Sequence, residues 1–298
     1  MNHSMDQITN NIIQTYKDKG VLNHLEGPNL PSRKSIRRII RNLESIIFPG
    51  FESEEDLNNE LISYTIGAKL QQLTKDLTFE IRKSLKFGCR MKHKDENCHI
   101  CAESAEETTF YLLNKIPEIR EVILLDVEAA LSGDPAAKSS EEVILSYPGL
   151  EAIVIHRFAH ELYKKEVPLI PRMMNEYIHR KTGIDIHPGA RIGRWFFMDH
   201  GTGIVIGETT IIGDNVRIYQ GVTIGALKVI KEEAEVKRHP TIEDNVTIYS
   251  GATILGGKTV IGRNSIIGGN VWITGSQKEN SRIYLKPPEY IVRKGNPS

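Results

Sequence analysis

The sequence predicts an α+β protein in which an all-α N-terminal domain precedes a C-terminal left-handed parallel β-helix. Two observations support this. Apolar residues recur at helical spacing over the first 181 residues, and from residue 186 onward they recur at every sixth position. Periods of about 3.6 and of six residues belong to different architectures, so the change of period divides the chain. We predict a helical domain at 1–181 and a β-helix at 182–298.

The N-terminal half is expected to form a bundle of six to eight helices. Apolar residues three or four apart mark a stretch from Leu61 to Leu77 and another that includes Val122 to Leu131. Residues 150–164 and 172–181 have the same spacing, which is typical of helices with one buried face. Proline is expected near helix boundaries, and five prolines are interpreted in this way: Pro117, Pro135, Pro148, Pro168 and Pro171.

The C-terminal half has the pattern of hexapeptide repeats. Six residues supply one short strand and one turn, and three such units build a triangular coil. The repeated aliphatic residue points inward and stacks on its counterpart about 4.8 Å away in the next coil. Thirteen positions carry this residue: Ile186, Ile192, Met198, Ile206, Ile212, Ile218, Ile224, Ile242, Ile248, Ile254, Ile261, Ile267 and Ile273.

Several irregularities interrupt the repeat. The register slips by two residues between Met198 and Ile206 and by one at Gly256-Gly257. Residues 226–241 are predicted to leave the coil as a protruding, partly basic loop, and residues 275–298 to form an irregular tail. Prisms of this kind usually pack into trimers through a flat face, and the clefts between neighbouring prisms are natural ligand sites.

The charge and the hydropathy pattern argue against several functional classes. The chain has 38 Lys and Arg residues against 38 Asp and Glu, which argues against a nucleic-acid partner because phosphate binding depends on excess positive charge. The local cluster Arg33-Lys34, Arg37-Arg38 and Arg41 is interpreted as a solvated helix face, with a polyanion site as the alternative. No apolar run approaches the roughly 18 residues that span a bilayer, and no signal peptide is visible. We therefore expect a cytoplasmic protein without a membrane partner.

Histidines and carboxylates concentrate where the coils are interrupted. The motifs are Asp185-Ile186-His187-Pro188, Asp199-His200-Gly201 and Arg238-His239-Pro240. Asp185 and His200 are fifteen residues apart, a little less than one coil of eighteen, so their side chains could meet across neighbouring turns. An Asp–His pair holds the imidazole in one tautomer and stabilises its protonated form, and histidine is a natural general base near neutral pH. Such a pair would serve acyl transfer to a hydroxyl group.

In these motifs the sequence resembles the serine acetyltransferases. The similar segments are residues 185–194 and 198–208 in the coils, 238–240 at the end of the predicted loop, and 126–136 in the helical domain. The similarity covers about residues 105–275, whereas a general hexapeptide protein would share only the repeats. It implies acetyl transfer from acetyl-CoA, as co-substrate, to the hydroxyl of L-serine, with no metal required for catalysis.

The resemblance also implies roles for individual residues. His200 would be the general base and Asp185 its orienting partner, in a direct attack of the serine oxygen on the thioester. Asp134 and Asp199 would bind the serine ammonium, since opposite charges are needed at the two ends of an amino acid. The other implied contacts are Arg238 and His239 with the serine carboxylate, Glu208 in support of the site, and backbone groups around Gly225, Ser250, Gly268 and Gly269 with CoA.

Some of these residues also have simpler interpretations. Asp134-Pro135 could cap a helix, because Asp is favoured at the N-cap and Pro at the first helical position. His187 could be structural, as a histidine in Ile-His-Pro is common in hexapeptide proteins. Asp199-His200, taken alone, would be a surface turn.

The resemblance has consequences for partners as well. It implies a homotrimer, or a dimer of trimers joined through the helical domains. Many family members end in isoleucine, which enters the active site of O-acetylserine sulfhydrylase to form a complex. This chain ends in Ser298, so we expect no tail-mediated complex with that enzyme. Inhibition by cysteine is expected, because cysteine shares the ammonium and carboxylate of serine.

The three cysteines form a separate motif. Cys89, Cys98 and Cys101 lie in one short segment with His93 and His99, and this set could bind zinc or another metal. Unliganded thiols are the alternative interpretation, and the family resemblance gives the metal site no support.

Other functions are compatible with the repeat alone. Another hexapeptide acetyltransferase could act on a sugar, an antibiotic or homoserine, but a substrate without amino and carboxylate groups would leave Asp134, Asp199 and Arg238 without a role. A γ-type carbonic anhydrase would need three zinc-binding histidines, for which His187, His200 and His239 are available. A non-enzymatic trimeric scaffold would leave the clustered acids and bases unexplained. Serine acetylation is therefore the leading hypothesis.

Overall fold

The computed structural model describes residues 4–18, 20–24, 29–51, 60–93, 100–228 and 236–286. Within these ranges seven α-helices precede the β-helix, as the helical spacing predicted. A 3₁₀ turn at Gly20–Leu22 follows the first of them. The helices are α1 (Met5–Asp18), α2 (Arg33–Ile47), α3 (Ile62–His93), α4 (Ile100–Gly133), α5 (Ser140–Ser146), α6 (Pro148–Lys164) and α7 (Ile170–Thr182).

The helix ends and buried faces follow local sequence signals. Ser32 is the N-cap of α2, and its hydroxyl accepts a hydrogen bond from the backbone N–H of Ser35, which satisfies one free donor of the first turn. Gly183 ends α7 in the left-handed conformation at φ 72°, which glycine adopts without a steric penalty. One face of α2 is buried at helical spacing, through Ile36, Ile39, Ile40, Leu43, Ile46 and Ile47.

Pro117 does not mark a helix boundary, so that prediction was wrong. It lies inside α4, which continues to Gly133. Proline has no N–H to bond to the carbonyl of residue 113, and this costs helix stability. The neighbouring Ile116 and Ile119 are both buried. We attribute the continuity of α4 to this apolar packing, which offsets the loss of one hydrogen bond.

Parallel strands then wind into a left-handed β-helix of about five coils, and three columns of strands form its faces. Face A has the order β1-β4-β7-β10-β13, face B β11-β8-β5-β2 and face C β14-β12-β9-β6-β3. The strands are β1 (Asp185–Ile186), β2 (Arg191–Ile192), β3 (Phe197–Asp199), β4 (Val205–Ile206), β5 (Ile211–Ile212), β6 (Arg217–Tyr219), β7 (Thr223–Gly225), β8 (Thr241–Ile242), β9 (Thr247–Ile248), β10 (Thr253–Leu255), β11 (Val260–Ile261), β12 (Ile266–Ile267), β13 (Trp272–Ile273) and β14 (Arg282–Ile283).

The predicted inward positions form the core of this prism. On face A, for example, Ile186 pairs with Ile206, Ile206 with Ile224, and Ile224 with Ile254. Of the thirteen predicted residues twelve are buried, and Ile192 is partly buried. Burial of one such side chain stabilises the fold by about 1.5–3 kcal/mol, so the column of isoleucines accounts for the regular stacking.

The coil continues further towards the C-terminus than the sequence predicted. Gln277 forms a bridge with Ile261, and Arg282 and Ile283 of β14 pair with Ile266 and Ile267 of β12. An irregular tail therefore does not begin at residue 275. Residues 287–298, which include the end of the chain, lie outside the described residues, as do residues 229–235 of the predicted loop.

A buried ion pair joins the helices to the first coil. Asp126 of α4 accepts hydrogen bonds from Arg157 of α6, at 2.7 Å from Nε and 2.8 Å from Nη2, and from the backbone N–H of Phe196 at 3.0 Å. Arg157 also donates to the carbonyl oxygens of Ile192 and Gly193.

In the described part of the chain, no helix is both long and apolar enough to cross a membrane.

Candidate active site

The corner between faces C and A carries His200 outside the regular coil. Asp199 pairs with Tyr219, and Val205 pairs with Thr223, so the first coil has two more residues than the second at this corner. His200 adopts φ 58°, and its side chain is 72% exposed, with Nε2 3.8 Å from Asp199 Oδ1. The predicted slip of two residues therefore projects this imidazole from the prism.

Two helices bring Asp134 to the same corner. A Cβ on Gly133, the last residue of α4, would lie 2.7 Å from the ring of Phe197 in β3. A Cβ on Gly149, at the start of α6, would lie 2.4 Å from the carbonyl oxygen of Met198. Both glycines allow close approach of the helix ends to β3. We call Asp134, Tyr147, Asp199 and His200 the Asp199 corner.

Asp134 is held as a carboxylate at this corner. The Tyr147 hydroxyl donates to its Oδ2 at 2.5 Å, and the N–H of Ala136 donates to its Oδ1 at 2.8 Å. The hydrogen bond from Tyr147, followed by that from Ala136, lowers the pKa of Asp134, and the charge of His200 adds to this effect. Asp134 closes a turn and does not cap α5, whose N-cap is Ser139.

Asp185 faces α7 rather than His200. Its Oδ1 lies 3.8 Å from Nη1 of Arg172, which also binds Glu176 at 2.5 Å. No hydrogen bond or ion pair between Asp185 and His200 is present in the described part of the chain. Each side chain has a nearer charged neighbour, so the predicted Asp–His pair is not formed within one copy.

The corner between faces A and B holds the other predicted substrate residues. Glu208 accepts hydrogen bonds from the Tyr163 hydroxyl at 2.8 Å and from Arg238 Nη2. His187 Nε2 lies 3.9 Å from Glu208 Oε1. The hydrogen bonds from Tyr163 and Arg238 outweigh partial burial and lower the pKa of Glu208. We call His187, Glu208, Arg238 and His239, with Tyr163 of α6, the Arg238 corner.

His239 belongs to this corner as a neutral ring. Its ring packs on Gly207, where a Cβ would lie 2.0 Å from Cδ2. Burial, followed by the charge of Arg238, lowers the pKa of His239 to about 4. The N–H of Thr209 donates to Nδ1 at 3.1 Å, so the ring proton lies on Nε2 and can be donated.

The residues that the family resemblance assigns to CoA lie along the same two edges of the prism as the Asp199 corner and the Arg238 corner. Gly225 ends β7, next to the insertion at the corner between faces A and B. Ser250 and Gly268-Gly269 follow β9 and β12, along the edge between faces C and A that also carries His200. A Cβ on Gly269 would lie 3.2 Å from the carbonyl oxygen of Ser250, so a side chain there would crowd the backbone.

Face A separates the Asp199 corner from the Arg238 corner. The two edges of the prism are about six residues apart, which at about 3.3 Å per residue corresponds to roughly 15–20 Å. The structure therefore brings Asp134, Asp199 and His200 together, and separately Glu208, Arg238 and His239. It does not bring the two groups together within one copy.

Three further residues at these corners were not found from the sequence. Tyr147 binds Asp134, Tyr163 binds Glu208, and Arg172 binds Asp185. Tyr163 and Glu208 are 45 residues apart, and no motif links them, so only the fold reveals the contact. Arg172 could have been suspected as a cation on the helix that leads directly into Asp185.

The cysteine motif lies away from both corners. The Sγ atoms of Cys89 and Cys101 are 3.1 Å apart, where α3 ends and α4 begins. Cys98 and His99, as well as the side chain of His93, lie outside the described residues. The predicted four-ligand metal site therefore stays a prediction.

A helical domain followed by a left-handed β-helix is the architecture of hexapeptide-repeat acyltransferases, and comparisons with known proteins define the family more narrowly. No family model matches the chain. The plasmid serine acetyltransferase of Synechococcus elongatus is 46% identical over 205 residues, which are 68% of this chain and 64% of that relative. The match thus spans less than two thirds of the relative's length.

Solved structures match over 84–95% of this chain. Serine acetyltransferase 1 of Entamoeba histolytica, in complex with L-cysteine, is 32% identical, with a TM-score of 0.71 over 95% of this chain and 100% of that one. The serine complex of the Neisseria gonorrhoeae enzyme is 25% identical, with a TM-score of 0.55 over 90% and 100%. A serine acetyltransferase in complex with CoA is 26% identical, with a TM-score of 0.53 over 84% and 95%. The chain belongs to the serine acetyltransferase family.

Proposed function

We propose that this chain transfers the acetyl group of acetyl-CoA to the hydroxyl of L-serine. The distribution of charge over the two corners supports this assignment most strongly. Asp134 and Asp199 offer carboxylates to an ammonium group beside His200. Arg238 and the Nε2–H of His239 offer donors to a carboxylate. An amino acid has both of these groups, whereas a sugar has neither a fixed cation nor a carboxylate.

In the proposed reaction His200 is the general base. It removes the proton of the serine hydroxyl while the oxygen attacks the thioester carbonyl carbon of acetyl-CoA. The tetrahedral adduct then expels the CoA thiolate, which takes the proton from His200 and leaves as the thiol. O-acetyl-L-serine is the other product. No covalent acyl-enzyme and no metal ion are needed for these steps.

A complete serine site would be shared by two copies of the chain. The two corners lie on opposite edges of face A, too far apart to hold one serine molecule, since an amino acid spans only a few ångströms. Packing of prisms in a trimer would bring the Asp199 corner of one copy to the Arg238 corner of the next. The outward side chains of face A support this, because Val205 is 38% and Trp272 is 68% exposed in a single copy.

The same groove between prisms would hold CoA. Gly225 would contribute from one copy, and Ser250 with Gly268-Gly269 from the other, because these residues lie on the two edges that border the groove. Asp185 pairs with Arg172 in a single copy, and we propose that it orients His200 in the assembled site. The helical domains would join two trimers.

Cysteine would compete with serine at this site. It has the same ammonium and carboxylate groups, and the Entamoeba relative was solved with L-cysteine bound. We propose that the sulfur lies where the serine hydroxyl would lie, near His200. Inhibition should then be overcome by raising the serine concentration.

Thiol release from acetyl-CoA tests the proposed activity directly. The purified chain is assayed with serine, homoserine, an amino sugar or no acceptor, before and after treatment with a metal chelator. We expect serine-dependent release that survives chelation and falls at least about 100-fold in the His200→Ala variant, since this is the usual scale of general-base assistance. Release that is independent of serine would contradict the activity. Near-full release by the variant would contradict the role of His200.

A further inference from the structure

The thiols of Cys89 and Cys101 form a pair that the proposed transferase activity does not use. Cys89 is near the end of α3, and Cys101 is the second residue of α4, with Sγ atoms 3.1 Å apart. Cys101 is 3% exposed. Cys89 is half-buried and lines a surface cavity of about 470 Å³ together with Gly88, Lys165 and Pro168. One thiol of the pair is therefore open to small solutes and the other is enclosed.

The two sulfurs of Cys89 and Cys101 are close enough for a disulfide to form. A disulfide bond of about 2.05 Å requires each sulfur to move by only about 0.5 Å. Tetrahedral zinc, with Zn–S bonds of about 2.3 Å, would hold two sulfurs about 3.8 Å apart. The observed 3.1 Å lies between these two separations, so the zinc content of the purified protein is part of the test below. The third cysteine of the motif lies outside the described residues, so the inference concerns Cys89 and Cys101 alone.

We propose that Cys89 and Cys101 are a disulfide-forming pair that reacts with low-molecular-weight disulfides such as glutathione disulfide. The Cys89 thiolate attacks one sulfur of the small disulfide, forms a mixed disulfide and releases one thiol. The Cys101 thiolate then attacks the Cys89 sulfur, and the second small thiol leaves. Two protein thiols are oxidised to one disulfide, and one small disulfide is reduced to two thiols, so atoms and electrons balance.

The bond would tie the end of α3 to the start of α4. It would close a chain segment of 13 residues, from Cys89 to Cys101. Closing such a loop restricts the unfolded chain and stabilises the folded one. Oxidation of the pair should therefore raise the melting temperature by at least about 3 °C.

The experiment uses the full-length protein incubated with glutathione disulfide, blocked with an alkylating reagent and examined by intact mass and peptide mapping. We expect loss of two alkylatable thiols, a Cys89–Cys101 cross-linked peptide, and a higher melting temperature that a reductant reverses. Cys98→Ser is the matched control and should still form the bond. Cys89→Ser should form no Cys101 cross-link within the chain and show no temperature shift.

Three results would overturn the proposal. The first is a cross-link that joins Cys98 to either of the other cysteines in the wild-type protein. The second is the persistence of three free thiols at full oxidation. The third is one equivalent of zinc in the purified protein that is released when Cys89 or Cys101 is modified. Peptide mapping of the wild-type protein identifies which cysteines are cross-linked, even if a variant fails to fold.

Discussion

Two tyrosines, Tyr163 in α6 and Tyr147 between α5 and α6, orient carboxylates at the two corners. Tyr163 donates to Glu208, which also accepts from Arg238, so the tyrosine helps to hold the proposed carboxylate-binding guanidinium. Tyr147 has the equivalent relation to Asp134 at the other corner. Burial, followed by the hydrogen bond to Glu208, raises the pKa of Tyr163 to about 12. The hydrogen bond to Asp134, followed by burial, raises the pKa of Tyr147 to about 12. Both hydroxyls therefore remain protonated donors at neutral pH.

Removal of the Tyr163 hydroxyl should weaken serine binding more than it slows chemistry. A hydrogen bond to a charged group contributes about 1.5–3 kcal/mol, but Glu208 retains Arg238. We therefore expect the KM for serine of Tyr163→Phe to rise about 3- to 10-fold while kcat changes less. Tyr147→Phe should act similarly through Asp134. Tyr64→Phe is the control, because Tyr64 is 80% exposed on α3. If Tyr163→Phe matches this control in KM, then Tyr163 does not position the site.

At the scale of secondary-structure elements, one buried ion pair sets the position of the helices against the coil. Asp126 is fully buried and Arg157 is 10% exposed, and they connect α4, α6 and the turn before β3. Asp134 lies at the end of α4 and depends on this docking for its place beside Asp199. The ion pair therefore couples the stability of the junction to the geometry of the site.

Loss of one partner of this pair should strongly destabilise the protein. Asp126→Ala or Arg157→Ala leaves an uncompensated buried charge, which costs about 3–5 kcal/mol. The double variant should lose less than the sum of the two single losses. Glu118→Ala is the matched control on α4, because its ion pair with Lys115 is exposed and exposed pairs contribute little to stability. Urea unfolding gives the free energy of unfolding of the two single variants, the double variant and the control. Equal losses for Arg157→Ala and the control would show that the junction does not depend on the pair.

The sequence predicts regular elements better than exceptions to them. The isoleucine period revealed the coils and the slip at His200 because each coil repeats the same packing demand. The last coil was missed because no aliphatic residue falls six positions after Ile273, and Ile283 comes ten positions later. The path of α4 through Pro117 depends on tertiary packing, which overrides the local penalty. The orientation of Asp185 depends on Arg172 of another element.

At the scale of the whole molecule, histidines at the junction of helices and coil connect stability to pH. Burial lowers the pKa of four of them below the ordinary value: His156, His160, His187 and His239. The unfolded chain binds these protons near pH 6.5, whereas the folded chain binds them only at lower pH. The free energy of unfolding should therefore fall as the pH drops below 6.5, down to about 4 for His239.

Thermal unfolding between pH 7.5 and pH 5 checks this expectation. The melting temperature should decrease over this interval, and the decrease should be smaller in His156→Asn, which removes the most buried of these groups. His200→Asn is the control, because that side chain is 72% exposed. Below about pH 4 a further loss is expected, as carboxylates with lowered pKa such as Asp134 and Glu208 become protonated. An unchanged melting temperature from pH 7.5 to 5 would contradict the assignment of neutral buried histidines.

For the whole molecule, we propose that each active site is assembled from two copies of the chain. A site that uses His200 of one copy and Arg238 of its neighbour is lost in both His200→Ala and Arg238→Ala trimers. In mixed trimers, some sites receive the intact His200 from an Arg238→Ala chain and the intact Arg238 from a His200→Ala chain. Random assembly of equal amounts makes about one quarter of the sites intact.

The most direct measurement is therefore serine-dependent thiol release from acetyl-CoA by the two variants, each alone and co-expressed in equal amounts. We expect each variant alone to be nearly inactive and the mixture to recover about one quarter of the wild-type rate. The double variant, co-expressed with His200→Ala, should recover nothing and serves as the control. If mixed assemblies form but release no more thiol than the separate variants, the shared serine site is contradicted.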